Sequence, residues 1–338
     1  MARFTPATYN LGVFKAFRIS QSGDRTSGQI VDVTLDDLTP GDVVIKAAYS
    51  SVNYKDALAA TGGAPIIRKF PRIGGIDVAG TVASSTDARF KEGDQVVVTG
   101  YDLGVGNDGG YSQFVRVPAD WVVKLPPSLT LFESMALGTA GFTAALSVIR
   151  LEQNGLKPGA GPVIVTGATG GVGSIAVAIL AGLGYDVTAA TGKDSEHEYL
   201  KSLGAKTVMP RPAIEQTPGP IGKATWAGAV DPVGGDVLAW LAKTMAYGAS
   251  IANSGLTGGV DVHTSVIPFI LRGVNWLGID SVMCPMPPRL EVWRRLASDM
   301  KPKTLTSIAR EIPMTGLSDA FVTLASGQAR GRFVVNLG

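Results

Sequence analysis

The chain has 338 residues, 45% of them hydrophobic, 17% charged and 43 of them glycine. That length exceeds one comfortable core and predicts two domains, and the apolar content excludes a disordered chain. The formal net charge of +2 excludes the basic field that nucleic acid or anionic lipid would need, so no nucleic-acid or membrane partner is expected.

The single cysteine, Cys284, excludes an internal disulfide and a thiolate zinc cluster. The opening MARFTPATYNLGVFKAF has no basic end followed by an apolar signal core, and we expect a cytoplasmic α/β protein. The stretch from Pro158 to Tyr185 is uncharged and long enough for a membrane span. Its glycines, however, divide it into a β-rich PVIVTG and a small-residue GSIAVAILAGLG, which reads as strand, turn and buried helix.

Taken in order, the first part offers short β-rich runs: VVIKAAYSSV (43–52), GTVASS (80–85), DQVVVTG (94–100) and YSQFVRVP (111–118). Turn formers separate them at Thr39-Pro40-Gly41-Asp42, Gly93-Asp94 and Asn107-Asp108-Gly109-Gly110, which predicts a mostly antiparallel β domain over 1–135. From 136 to 283 strands and helices alternate. The strands are VIVTG (163–167), DVTAAT (186–191), KTVMP (206–210), GAVDPV (228–233), ASIANSG (249–255) and NWLGIDSV (275–282); the helices lie at 171–183, 195–203 and 235–246. That alternation predicts βαβ units and a parallel sheet covered on both faces. A Pro-rich CPMPP, an amphipathic helix around RLEVWRRLASDM and a final strand, GRFVVNL, are read as a return of 284–338 to the first domain.

The most informative motif is Thr166-Gly167-Ala168-Thr169-Gly170-Gly171-Val172-Gly173, where a first βαβ strand meets its helix. A dinucleotide pyrophosphate needs a tight turn, close backbone approach and a helix N-terminus. We therefore take Thr169, Gly170, Gly171, Val172 and Gly173 as its cradle; the alternative is a glycine turn without a ligand. An NAD site usually carries Asp or Glu about 20 residues on. Here the second strand ends in Thr191-Gly192-Lys193, with Arg211 just past the third. A hydroxyl and two cations suit a 2′-phosphate, so NADPH is expected; otherwise Lys193 and Arg211 are ordinary solvated charges.

These residues resemble the medium-chain dehydrogenase/reductase superfamily, whose fold is a Rossmann doubly wound parallel sheet domain plus a GroES-like, mostly antiparallel β catalytic domain. The zinc alcohol dehydrogenases of that superfamily carry cysteines and a Gly-His-Glu segment. This chain has Ser51-Val52-Asn53-Tyr54-Lys55-Asp56 and Gly75-Ile76-Asp77 there, and two histidines with one cysteine do not build the usual three-ligand site. It thus resembles the zinc-free, quinone-oxidoreductase-like branch. The blocks SSVNYKDALAATG, FPRIGGIDVAGTV, LGTAGFTAALSV, EHEYLKSLGA, WAGAVDPVGG and VIPFILRGVNWLGIDSVM are similar to the NADPH-dependent acrylyl-CoA reductase subgroup. Two departures stand out: a longer N-terminal extension, and a segment SGQARGR (326–332) without the asparagine expected beside the cofactor. The resemblance also implies that Tyr54, Leu256, Ile270 and Ser281 border the cofactor, and that members commonly form homodimers.

Reducing an α,β-unsaturated thioester needs hydride at the β-carbon, stabilisation of the enolate oxygen and a proton at the α-carbon. Tyr54 and Asn53 are the polar groups expected near the reacting carbons, the phenol as donor or proton relay and the amide holding the carbonyl. The competing reading of Tyr54 is a half-buried core tyrosine. Lys55 and Asp56 read as an ion pair or a helix cap. Arg68 and Lys69 either meet coenzyme A phosphates or are solvated. His197 and His263 read as structural, and Cys284 has no neighbouring base in sequence. Three functions follow: an acrylyl-CoA reductase giving propionyl-CoA, a quinone or general enal reductase, and a low-turnover NADPH-binding structural protein.

Overall fold

The computed structural model describes residues 12–211 and 219–338. Contacts divide the chain into two compact units, one holding the chain up to Thr139 with Ala309–Gly338 and the other holding Ala140–Ile308.

The first unit begins with a hairpin that the sequence reading did not include. Strands β1 (Phe14–Ser22) and β2 (Arg25–Val33) are joined by Gly23 and Asp24, with Gly23 at φ 57°. A two-residue hairpin connection needs positive φ, which glycine adopts without strain. Next come β3 (Val43–Val52), α1 (Tyr54–Thr61), β4 (Arg72–Ile73), β5 (Asp77–Ser85), β6 (Gln95–Thr99), β7 (Phe114–Val117) and β8 (Val123–Lys124). Helix α2 (Leu131–Gln153) then contains the point of division, because Gly138 breaks it with non-helical φ 51° and ψ −156°.

The second unit alternates as expected: β9 (Pro162–Val165), α3 (Gly171–Gly182), β10 (Asp186–Thr191), α4 (His197–Ser202), β11 (Thr207–Pro210), β12 (Trp226–Asp231), α5 (Gly235–Thr244), β13 (Met245–Asn253), α6 (Ile267–Arg272), β14 (Asn275–Gly278), α7 (Met286–Leu296) and α8 (Leu305–Ile308). Among the described residues its six strands are all parallel in the order β11-β10-β9-β12-β13-β14. The sheet grows outward in both directions from β9, as in doubly wound dinucleotide folds, and the strand order reverses at the β9 carboxyl end. Ile164, Ala229, Leu241 and Ile251 are among its buried core.

The chain then supplies β15 (Ala309–Pro313), α9 (Leu317–Ala325) and β16 (Arg332–Asn336) to the first unit. A seven-stranded sheet runs β15-β16-β3-β5-β6-β8 with β7 paired against β3, mostly antiparallel, and β2-β1-β4 form a smaller sheet. Ile45, Val78, Val96, Tyr111 and Phe321 fill the space behind them.

Two expectations change. The return to the first unit comes at Ala309, not at 284, because the segment after β14 is anchored within the second unit. Arg289 is fully buried, donates to the carbonyls of Cys284 and Val282, and lies over the Phe142 ring at 4.9 Å. Arg295 of the same helix bonds Glu152. Strand β14 also ends at Gly278 and not at 282: the Asp280 side chain accepts the N–H groups of Val282 and Met283 at 2.8 and 3.1 Å, a turn that stops the ladder. The uncharged 158–185 stretch is β9, a turn and the buried α3, as read. Helix α2 is the one element among the described residues long and apolar enough to cross a membrane, yet 83% of its apolar window is buried and Gly138 interrupts it. It is a core helix.

Candidate active site

In the first unit, α1 begins where β3 ends, and its first turn carries the residues expected to do chemistry. Asn53 is the cap, Tyr54 the first helical residue and Asp56 the third. Asp56 Oδ2 accepts the Asn53 N–H at 2.9 Å, so the carboxylate closes the helix start as an N-terminal acid should. Tyr54 is 37% exposed, an aromatic ring left open at the helix start. Asn53 is 7% exposed, and its amide is already engaged: Nδ2 donates to Asp77 Oδ2 at 2.8 Å and Oδ1 accepts from Arg332 Nη1 at 3.1 Å.

Those bonds belong to a buried ionic cluster that the sequence reading did not find. Asp56, Asp77 and Arg332 are 3%, 0% and 3% exposed. Asp77 Oδ2 accepts from Ser51 Oγ at 2.5 Å and from the Thr139 N–H at 2.9 Å, and its Oδ1 accepts from Thr139 Oγ1 at 2.6 Å. Arg332 Nη2 donates to Ser51 Oγ at 2.7 Å and stands 3.8 Å from Asp77, so the serine hydroxyl bridges cation and anion. The guanidinium also donates to the carbonyls of Val52 and Ala136. Asp56 Oδ1 accepts the Ile76 N–H. Gly138 sits against this cluster: a Cβ there would meet Arg332, Asp77 and Ser51 atoms at 2.6 Å each. Its positive φ breaks α2 and leaves Thr139 to aim its N–H at Asp77.

Two carboxylates with one cation in a dry interior cannot both ionise without cost. Burial first, and the Asp77 charge second, push the Asp56 carboxyl up from its ordinary 3.8 to about 7. Burial holds the Arg332 guanidinium below its usual range, opposed by both carboxylates. Tyr111, whose hydroxyl donates to Ser51 O at 3.2 Å, is pushed well above its usual value by burial and the two acids.

In the second unit the expected cofactor residues line the carboxyl edge of the parallel sheet. Thr169 to Gly173 follow β9, Thr191 closes β10, Arg211 follows β11, Leu256 follows β13 and Ser281 follows β14. The turn fits a dinucleotide. A Cβ on Gly173 would lie 2.3 Å from Gly167 O, while one on Gly170 would meet only that oxygen at 3.4 Å, leaving open space over the helix start. The first turn of α3 has no acid, so no side-chain charge there would oppose an anion at its N–H groups. Lys193 N donates to Thr191 Oγ1 at 3.1 Å, and Arg211 lies alongside Gly192, its Nε 3.5 Å from where a Cβ would be. Burial lowers the Lys193 ammonium, which a phosphate partner would reverse. Ser281 Oγ accepts from Thr143 at 2.8 Å, and Leu256 is exposed.

Ile270 is not brought into that row. It is 69% exposed on α6, and Arg272 two residues on donates to the carbonyls of Lys243, Met245 and Gly222, at the amino edge of the sheet. The helix is already running back toward the start of β14 by then. Cys284 is buried and burial raises its thiol. No group of three His, Cys, Asp or Glu side chains that could hold a metal occurs among the described residues.

A parallel dinucleotide sheet with a Gly192-Lys193 turn after β10, joined in sequence to a mostly antiparallel unit, defines a nicotinamide-type oxidoreductase fold. Residues 39–127 match the alcohol dehydrogenase GroES-like domain and 171–298 the zinc-binding dehydrogenase domain. The chain is 51% identical over 96% of its length, and 99% of the relative's, to Bacillus subtilis YhfP, which is named as a quinone oxidoreductase; the crystal structure of YhfP with NAD bound aligns at a TM-score of 0.93. Acrylyl-CoA reductase AcuI of Ruegeria pomeroyi is 48% identical over 94% of this chain and 96% of its own. The yhdH oxidoreductase of Salmonella enterica, crystallised with NADP, is 44% identical and aligns at 0.93 over 96% of this chain and 100% of its own. The chain belongs to the medium-chain dehydrogenase/reductase superfamily of oxidoreductases.

The raised Asp56 carboxyl has a measurable sign. Between its ordinary 3.8 and about 7, the folded protein keeps a proton that the unfolded chain releases, so this group makes stability fall as pH rises. The slope at full effect is about 1.4 kcal/mol per pH unit. Asp56→Asn loses one of two acceptors and is less stable throughout, but it lacks that slope. Urea midpoints from pH 4.5 to 6.5 check this: the gap between parent and variant should close as pH rises, and parallel curves refute it.

Proposed function

We propose that the protein is an NADPH-dependent reductase of acrylyl-CoA, giving propionyl-CoA. The observation that carries this reading is the likeness to an acrylyl-CoA reductase over nearly the whole of both chains, joined to a Gly192-Lys193 turn after β10 and to Arg211 after β11. Lys193, Thr191 and Arg211 hold the 2′-phosphate, Gly192 gives the approach, and Thr169 to Gly173 hold the pyrophosphate. Leu256 and Ser281 border the cofactor from the adjacent strand ends, and Ile270 borders it from α6. Bound NADPH supplies the hydride for the β-carbon.

The protein's own contribution lies at the start of α1. Tyr54 presents its phenol to the enolate oxygen or passes a proton toward the α-carbon. Asn53 spends one amide N–H on Asp77 and its Oδ1 on Arg332, which leaves its second N–H as the donor for the thioester carbonyl. A quinone reading is favoured by one observation, the name of the 51% identical Bacillus relative. Initial rates with NADPH and, in turn, acrylyl-CoA, crotonyl-CoA and a quinone decide between them. A kcat/KM for acrylyl-CoA at least tenfold above that for the quinone supports the first reading, and the reverse order replaces it.

Three outcomes follow. NADPH should bind at least tenfold more tightly than NADH, about 1.4 kcal/mol, and Lys193→Glu should erase or invert the preference. Fluorescence titration with both cofactors reads this, and equal affinities in the parent rule it out. Tyr54→Phe removes only a hydroxyl from an exposed ring. Its melting temperature should hold and its kcat fall roughly 10²-fold at unchanged NADPH affinity; a rate within about twofold of the parent returns Tyr54 to a structural role. Finally, the edge strand β14 carries Trp276 at 46% exposure. An apolar sheet edge invites pairing with a second copy about a two-fold axis. Light scattering should give a mass near twice 35.0 kDa, reduced to that of one chain in Trp276→Glu; a monomeric parent disproves the homodimer.

A further inference from the structure

At the centre of the parallel sheet another carboxylate is fully buried, and among the described residues its side-chain donors are all neutral. Asp231, the last residue of β12, accepts four neutral donors: Thr166 Oγ1 at 2.5 Å and the Val233 N–H at 3.1 Å on one oxygen, the Gly234 N–H and Asn253 Nδ2 at 3.1 Å each on the other. Its backbone carbonyl accepts the Ser254 N–H at 2.9 Å and Asn253 Nδ2 at 3.1 Å. Burial raises this carboxyl, and the four bonds oppose the rise.

These donors come from three strand ends. Thr166 follows β9 and opens the glycine turn, Val233 and Gly234 lead into α5, and Asn253 closes β13. The loops they begin touch backbone to backbone. A Cβ on Gly255 would lie 2.1 Å from Pro232 O, and one on Gly234 would lie 2.7 Å from Gly255 O. Beside them lies a cavity of about 310 Å³ walled by Gly234, Asn253, Ser254, Leu256 and Trp276. Ser254 Oγ is buried there without a hydrogen-bond partner. Ligands of such sheets bind outside the strand carboxyl ends where the order reverses, and here the pieces on either side of that point share one acceptor.

We propose that Asp231 is a positioning residue for the cofactor: through Thr166 it fixes the phosphate-binding turn, and through Asn253 and Ser254 it fixes the β13 loop, holding the two at one spacing. Only a carboxylate has enough lone pairs to accept all four donors. In an asparagine the NH₂ would confront either Thr166 and Val233 or Gly234 and Asn253, all of them donors. The inference rests on the NADPH reading above but not on which acceptor is reduced.

The test uses the bond from the turn, because Asp231→Asn risks the fold. Thr166→Val keeps the side-chain shape and deletes the hydroxyl; Thr166→Ser keeps the hydroxyl. NADPH affinity is measured by fluorescence titration, beside melting temperature and kcat at saturating NADPH. The expected result is a Kd for NADPH raised about tenfold in Thr166→Val, restored to within threefold in Thr166→Ser, with kcat within about twofold of the parent. A Thr166→Val protein that binds NADPH as the parent does overturns the proposal, whatever its melting temperature. Equal weakening in both variants also overturns it, since the hydroxyl then does not matter. A parent that binds no NADPH fails the cofactor reading itself, and this inference falls with it.

Discussion

Asp77 lies in the interior with no exposure, and the guanidinium that faces it, Arg332, comes from the last strand of the chain. Removing one partner of a buried ion pair costs several kcal/mol, so the pairing dictates much else. The C-terminal strand must return to lie against β3, with Val334 opposite Ser51 and Phe333 opposite Val52. Residue 138 must be glycine, because a side chain would displace the cation, the anion or the bridging serine. Helix α2 must break there, since an unbroken helix would spend the Thr139 N–H on its own turn. The start of α1 is held by the same set through Asn53, and Tyr54 is the next residue.

The cluster also explains why a second acid can share the site. Asp56 closes the helix and takes the Ile76 N–H, and near neutral pH it carries a proton part of the time. One cation then faces close to one negative charge. The arrangement fixes side-chain positions at the helix start. In the second unit Asp231 shows the same economy, a buried acid used as a four-way acceptor, though it draws on neutral donors alone.

Much of the fold was legible because its signals are local. Alternation and turn residues placed β3, β6 and β10 within a residue or two of their observed bounds, and the glycine turn placed the start of α3. The β1–β2 hairpin carried its signal too, a Gly23-Asp24 pair between two polar-rich runs, but those runs alternate less cleanly than β7. The edge strand ran four residues too long because an apolar run does not announce that Asp280 will accept two backbone N–H groups.

By itself the sequence determined the class: a βαβ series, a glycine turn without a following acid, and a β-rich first part, each a matter of spacing between near neighbours. Tertiary structure alone decided the rest. Arg332 read as part of a departure in SGQARGR, and Asp77 as a residue standing where a metal ligand was missing. They are 255 positions apart (332 less 77), and no periodicity links such distant residues. Likewise Asp231 looked like one acid in a strand until β9, β12 and β13 lay side by side. Buried charge is legible only once the chain has chosen its partners, because its cost and its compensation both depend on what excludes the water.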